Sequence, residues 1–189
     1  VEALYPSGRP LPDILGELNR IGAELEATVT ALLLLTRLQG GLEQPQLQEL
    51  DLQVWLEHLI RRHRPAAQAR GVELRLAIGH PGRWRSDPAL LEVVIGNLLA
   101  NACAYAPAGD TVSFRADGGE LAIDNAAPDL GDEDLAHFGQ RFWRKQQPHS
   151  AHAGLGLALA AAAAQALGLE LGYRLERGRL HCTVRCANS

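Results

Sequence analysis

The stretch VVIGNLLANACAYAP, residues 93–107, decides how this chain folds. Asn97, Asn101 and Tyr105 recur every four residues within it. On a helix they form one line along one face, each about 6 Å above the last, while Leu91, Val94, Leu98 and Leu99 populate the other faces. An asparagine inside a helix is mildly unfavourable, and two of them one turn apart in so apolar a segment require polar partners. Nearby backbone carbonyls would serve, and so would a ligand: amide oxygens suit a magnesium ion that also holds phosphate oxygens. The bounds of the helix are written locally. Asp87 and Pro88 set a capping carboxylate beside a first-turn proline, and Pro107 and Gly109 end the helix after about Tyr105.

Downstream, Thr111 to Ala116 and Glu120 to Asp124 read as paired strands joined by Asp117-Gly118-Gly119, a hairpin turn. Asp124 closes the second strand, where a carboxylate can accept a hydrogen bond from an exocyclic amine; ahead of Pro128 it also suits a plain turn. A short helix is expected near 132–138. The segment Phe138, Arg141, Phe142, Trp143, Arg144, Lys145 then sets three aromatics and three cations before a polar stretch over 144–152. Such a segment suits a lid that closes a cation over phosphates, and equally an aromatic anchor that holds a surface loop on the core. Gly154-Leu155-Gly156 leads into an alanine-rich amphipathic helix from about 155 to 167, so free backbone N–H groups and the positive helix end meet whatever binds there. Phosphate is the natural ligand, with tight helix packing as the other use of such glycines. A final hairpin turns at Arg177-Gly178.

Upstream, Gln48 to Leu52 reads as a strand, 53–69 as a helix, and Val72 to Ile78 as a strand in which apolar residues alternate with polar ones. From Leu11 to Leu35 apolar residues repeat every seven: Leu11, Leu18, Leu25 and Leu32 in one column, Ile14, Ile21, Thr28 and Leu35 in the other. Val29 and Leu33 widen the stripe to that of a bundle of several helices, and Gly40-Gly41 stops the helix after Gln39. Its partners must come from residues before Val1, from a second copy of the chain, or from both, which predicts a homodimer through helix 11–39. Helices and antiparallel strands mix without a strand-helix-strand rhythm, so the fold class is α+β, a two-layer sandwich of helices on one face of a mixed sheet, preceded by a long bundle helix. The expected division is 1–45 for the bundle segment and 46–189 for the sandwich.

With 47% hydrophobic residues the chain can build a core, and a net charge of −4 gives no general attraction for nucleic acid. The basic cluster Arg61, Arg62, His63, Arg64 reads as a solvated helix face. Three cysteines, Cys103, Cys182 and Cys186, lack the paired spacing of a zinc site and predict free thiols in a reducing compartment, the cytoplasm. Among the histidines, His149 and His152 lie close together but have no further ligand nearby. No apolar run reaches the roughly 20 residues of a membrane span, which predicts a soluble segment. A start at Val1 and the lack of any methionine suggest a cut from a longer protein.

Together these segments resemble the catalytic and ATP-binding domain of a two-component sensor histidine kinase, of the superfamily shared with gyrase and the mismatch-repair ATPases. Asn97-Leu-Leu-Ala-Asn101-Ala is similar to the family's N box, Asp124-Asn125 to the start of its first glycine box, Phe138 to Trp143 to its F box, and Gly154-Leu-Gly156-Leu to its second glycine box. The helix over 11–39 resembles the second helix of the dimerisation and histidine-phosphotransfer bundle. The resemblance implies transfer of the ATP γ-phosphate to a histidine on that bundle and then to an aspartate of a response regulator, in the cytoplasmic portion of an inner-membrane sensor. It further implies Asn101 as the principal magnesium ligand and Asn97 as its assistant at metal and phosphates. Asp124 would bind the adenine amine, Tyr105 would lie near the base, and Gly154 and Gly156, with Leu155 between them, would line the lid.

The chain also departs from the family. A His followed by Glu or Asp and Leu-Arg-x-Pro is missing, so the acceptor helix is expected upstream of Val1 and this segment should not phosphorylate itself. The family's lysine after the second Asn is Ala104, a loss for which Arg144 or Lys145 would compensate. The first glycine box normally reads Asp-x-Gly-x-Gly; counted from Asp124, Ala126 and Pro128 stand at its glycines, and His152 replaces a third glycine near the second box. Relatives that hydrolyse ATP carry a Glu one turn before the metal Asn, where this chain has Asn97, which favours phosphoryl transfer over hydrolysis. The competing reading is a degenerate ATP-site domain that acts as a regulatory scaffold.

Overall fold

A computed structural model describes residues 11–143 and 154–186 of the chain. Its elements are α1 (Leu11–Gln39), β1 (Gln48–Asp51), α2 (Leu52–Ala69), β2 (Glu73–Ile78), β3 (Arg83–Ser86), α3 (Pro88–Tyr105), β4 (Thr111–Asp117), β5 (Glu120–Ala126), α4 (Asp132–Leu135), α5 (Gly156–Leu167), β6 (Leu169–Glu176) and β7 (Arg179–Cys186). Five strands form one sheet in the order β2-β4-β5-β7-β6, in which only β2 and β4 run parallel. The expected α+β class and mixed sheet are found, and the turn glycines Gly118, Gly119 and Gly178 take the positive φ that their hairpins need.

Alternation along the strands decides which face is covered. Leu121, Ile123 and Asn125 of β5, and Leu180, Cys182 and Val184 of β7, are buried beneath the helices. Their neighbours in sequence point to the other, solvent-facing side. Helix α3 is the centre of the covered layer, burying Leu90, Leu91, Val94, Ile95, Leu98, Leu99, Ala102 and Cys103. Its length and apolarity match those of a membrane span, but it is a core helix, packed against α2, α5 and β5. At its start Asp87 accepts from the N–H groups of Ala89 at 2.9 Å and Leu90 at 3.1 Å, and also from Gln46 at 2.8 Å. These three donors outweigh burial and hold the Asp87 carboxyl below its ordinary range. At the other end Arg70 donates to the carbonyls of Cys103 and Ala104, placing a cation at the negative helix end.

Three details differ from the sequence reading. The strand β3 was not foreseen: Arg83-Trp84-Arg85-Ser86 is short and charged, and it forms only because β1 pairs with it antiparallel, Leu50 opposite Trp84. Helix α5 is not amphipathic, since Ala158, Leu159, Ala160, Ala162, Ala163 and Ala164 are buried around most of its circumference. The expected helix near 132–138 closes after one turn at Leu135. In α1 the stripe divides. Leu35 and Leu38 are buried where the helix meets α5, whereas Leu18, Ile21, Leu25, Val29 and Leu33 are exposed.

Candidate functional site

A cleft of about 230 Å³ opens between α3, the end of β5 and the N-terminus of α5. Asn97, Asn101 and Tyr105 form one wall, as their four-residue spacing requires. Gly154 and Gly156 line the end of α5, and Asn125, Ala127, Pro128 and Leu130 form the floor beside Leu180 of β7. His137, Phe138 and Trp143 close the far side. The three rings are one unit: His137 stacks on Trp143 at 5.8 Å between centroids, Phe138 lies 5.6 Å from Trp143, and Tyr173 of β6 meets Phe138 edge-on at 5.1 Å. The F-box segment therefore anchors one wall through its aromatics. Arg141 donates to Gln39 at the end of α1, and the Phe142 N–H to Gly154 O at 3.0 Å.

The polar line of α3 splits into two roles. Asn97 spends its Nδ2 on the Val93 carbonyl at 2.7 Å, the backbone alternative open at the outset, and its Oδ1 lies where a Cβ on Gly156 would come within 2.9 Å. A Cβ at 156 would therefore force the Asn97 amide to shift away from α5. Asn101, half-buried in the cleft, makes no side-chain hydrogen bond among the described residues, so its amide oxygen is open to a ligand.

Asp124 does not line the cleft, which corrects its expected role at the base. On β5 it has the opposite parity from Leu121 and Ile123, and its carboxylate lies on the outer face of the sheet. There Oδ1 receives Arg179 Nε at 2.6 Å and Oδ2 pairs with His181 Nδ1 at 2.7 Å. The residue that enters the cleft is its neighbour Asn125, 1% exposed. Asn125 donates Nδ2 to Ala126 O at 2.8 Å and leaves Oδ1 buried with no partner. An unpaired buried acceptor costs about 1–3 kcal/mol, and this one belongs to a residue that lines the cleft. The signal that identifies Asn125 was present in the strand: it continues the period-two row of Leu121 and Ile123. Counted from Asn125, the pattern Asp-x-Gly-x-Gly assigns its glycines to Ala127 and Asp129 rather than to Ala126 and Pro128.

Of the remaining expected residues, Leu155 buries its side chain in the core, 3% exposed, and contributes only backbone at the start of α5. Arg144 and Lys145 lie outside the described residues. Among the described residues lining the cleft there is no Lys or Arg, and Ala104 takes the place of the family's lysine. All three cysteines are free thiols, and burial pushes Cys103 up to about 11 and Cys182 to about 12. His137, which the spacing of histidines gave no role, is part of the cleft wall.

A helical layer over one face of a mixed sheet, with an amide-lined cleft at the helix ends, defines an α+β sandwich of the kind built around a ligand cleft. A family model described as histidine kinase-, DNA gyrase B-, and HSP90-like ATPase matches residues 86–186, and the chain belongs to that family as the catalytic, ATP-binding domain of a sensor histidine kinase. It is 33% identical over 145 residues to the sensor-like histidine kinase SenX3 of Mycobacterium tuberculosis, covering 75% of this chain and 34% of that protein. To the sensor protein CopS of Pseudomonas syringae pv. tomato it is 32% identical over 134 residues, 69% of this chain and 26% of CopS. The chain therefore spans about a third or less of the length of these relatives. In fold it matches Acinetobacter baumannii histidine kinase AdeS with a TM-score of 0.78 at 19% identity, over 97% of this chain and 89% of that one. It also matches full-length ShkA in complex with AMPPNP, with a TM-score of 0.81 at 21% identity, over 95% of this chain and 39% of ShkA.

Proposed function

We propose that this domain binds ATP with magnesium in the α3–α5 cleft and transfers the γ-phosphate to a histidine on a bundle helix outside residues 1–189, for relay to a response regulator. The observation that carries the reading is the convergence of open Asn101, the N-terminus of α5 and the unpartnered Asn125 oxygen on one cleft. The Asn125 oxygen suits the exocyclic amine of adenine, Tyr105 the neighbourhood of the base, and the N–H groups at Gly154 to Gly156 a chain of phosphates. Among the described residues no group of three His, Cys, Asp or Glu gathers to hold a metal by itself. A single amide oxygen from Asn101, completed by phosphate oxygens and water, fits magnesium, with Asn97 supporting from one turn earlier. Bound there, the ion neutralises the charge of the phosphates.

The protein's own part is positional. The acceptor imidazole nitrogen attacks the γ-phosphorus, the bond to the β,γ-bridging oxygen breaks, and ADP leaves; the cleft aligns the donor and supplies no covalent group. Asn97 has no basic side chain with which to activate water, which favours transfer over hydrolysis. Arg144 and Lys145 are the cations proposed to meet the phosphates. Residues 1–45 are read as the bundle segment and 46–189 as the catalytic domain, with the exposed stripe of α1 serving a homodimer. The chain is read as the cytoplasmic portion of an inner-membrane sensor, a reading supported by its likeness in fold to the cytoplasmic segment of histidine kinase QseC.

The test has two stages. Magnesium-ATP should raise the melting temperature of the wild type, and Asn101→Ala should remove the magnesium-dependent part. The missing bundle helix, supplied in trans, should then acquire acid-labile phosphate. ATP binding without any transfer would overturn the kinase reading in favour of a regulatory scaffold.

A further inference from the structure

The cleft face of β5 carries Asn125, but what holds Asn125 lies on the opposite face of the sheet. Its Nδ2 is bonded to Ala126 O at 2.8 Å, and the Ala126 N–H is bonded in turn to Asp110 Oδ2, also at 2.8 Å. The other Asp110 oxygen meets Arg179 Nη1 at 3.3 Å. Arg179 also reaches Thr111 O at 3.1 Å and grips Asp124, the residue preceding Asn125, at 2.5 and 2.6 Å. His181 closes the far side of Asp124 at 2.7 Å. One guanidinium thus binds the residue before Asn125 directly and the residue after it through Asp110. The two carboxylates are 15% exposed and Arg179 35%, which shields the group more than an ordinary surface pair. Just beyond, Ala127 N is fixed to Gly178 O at 2.8 Å, so the turn before Arg179 pins the strand end as well.

We propose that Arg179, with Asp110 and Asp124, is the positioning element that sets base discrimination: from the outer face of the sheet it fixes the strand end so that the Asn125 oxygen faces the base. Because successive residues of a strand point to opposite faces, a rotation of the Asp124–Ala126 backbone turns Asn125 by the same amount. The Nδ2 bond to Ala126 O holds the amide with its oxygen toward the cleft, and that carbonyl belongs to the peptide unit whose neighbour Asp110 fixes. Held so, Asn125 accepts from a 6-amino purine and sets acceptor against acceptor with a 6-oxo purine. If the grip is released, the amide is free to turn its NH₂ inward and accept either base. Arg179 touches no nucleotide in this scheme.

The inference rests on the ATP reading of the cleft, and the test separates the two. Dissociation constants for magnesium-ATP and magnesium-ITP, whose bases differ in the 6-substituent, are compared by calorimetry on the full chain. The wild type should prefer ATP by about tenfold or more, the effect of one buried hydrogen bond and its mismatch. Asn125→Ala should bring the ratio to near one. Arg179→Met should also collapse the ratio, mainly by tighter ITP binding, whereas Arg179→Lys should restore part of it; a merely structural role would weaken both nucleotides in proportion and leave the ratio unchanged. A collapsed ratio in Asn125→Ala with an intact one in folded Arg179→Met overturns the positioning role and leaves the base reading standing. An intact ratio in Asn125→Ala overturns both. Should Arg179→Met fail to fold, Asp124→Asn, which keeps size and loses the charge held by Arg179, is judged by the same ratio.

Discussion

Replacing Asn125 by leucine should make the unliganded domain no less stable while weakening its response to ATP. Asn125 is 1% exposed, its Oδ1 has no partner, and leucine keeps the branched skeleton of asparagine while its greater bulk faces the open cleft. The substitution loses the Nδ2 bond to Ala126 O, a net contribution of about 1 kcal/mol, and removes an unsatisfied acceptor that costs about 1–3 kcal/mol. The balance lies between about zero and 2 kcal/mol in favour of leucine. At roughly 2–4 °C per kcal/mol for a chain of this size, the melting temperature should hold or rise by up to about 8 °C. Nucleotide should act in the opposite direction. At about 100 times its dissociation constant, magnesium-ATP adds about 2.7 kcal/mol to the wild type, a rise of about 5–11 °C. If leucine weakens binding about tenfold, the same nucleotide concentration adds only about 1.4 kcal/mol, and if about a hundredfold, about 0.4 kcal/mol. Differential scanning calorimetry with and without magnesium-ATP reads both quantities on the same samples. A leucine variant that loses more than about 1 kcal/mol of intrinsic stability and keeps the full nucleotide shift would refute the reasoning, because Asn125 would then be a satisfied structural residue.

Three further outcomes follow from the geometry. Gly156→Ala puts a Cβ 2.9 Å from Asn97 Oδ1, so in a double-mutant cycle with Asn97→Ala the two changes should couple by about 1 kcal/mol; additive melting shifts would mean that the contact is relieved at no cost. Leu25, 64% exposed on α1, should when changed to glutamate reduce self-association measured by light scattering, while the monomer's stability changes by no more than about 0.5 kcal/mol; an unaltered mass would remove α1 from the dimer contact. Burial works to raise the Asp110 carboxyl, but the N–H groups of Ala126 and Thr111 together with Arg179 outweigh it and hold it below its ordinary 3.8. Its ionised form therefore stabilises the fold above that pH and loses the contribution as pH falls through the lower, folded value. The stability difference between wild type and Asp110→Asn should shrink on acidification below about 3.8, and a difference constant with pH would show that the charge is not what matters.

Much of the fold follows from patterns that a few neighbouring residues suffice to express. The cap of α3 at Asp87-Pro88, the hairpins at Gly118-Gly119 and Arg177-Gly178, and the four-residue spacing of Asn97, Asn101 and Tyr105 are local and were legible in the sequence. What failed were readings that need a partner far along the chain. β3 exists because β1 lies beside it, and α5 is buried nearly all round because α1, α3 and β6 enclose it. The motif Asp124-Asn125 is instructive in another way: chemistry alone favoured the charged residue, whereas the two-residue period of β5 already assigned the cleft face to Asn125. Sequence by itself thus determined the class of elements, their order and the polar line of α3, since propensity, capping and periodicity act over a turn or two. The tertiary structure decided that Asp124 pairs with Arg179, 55 residues on, and that Arg141 meets Gln39, 102 residues back. Such contacts form only when the sheet and the helical layer close on each other, because no short-range preference of the backbone encodes which distant charge will be waiting there.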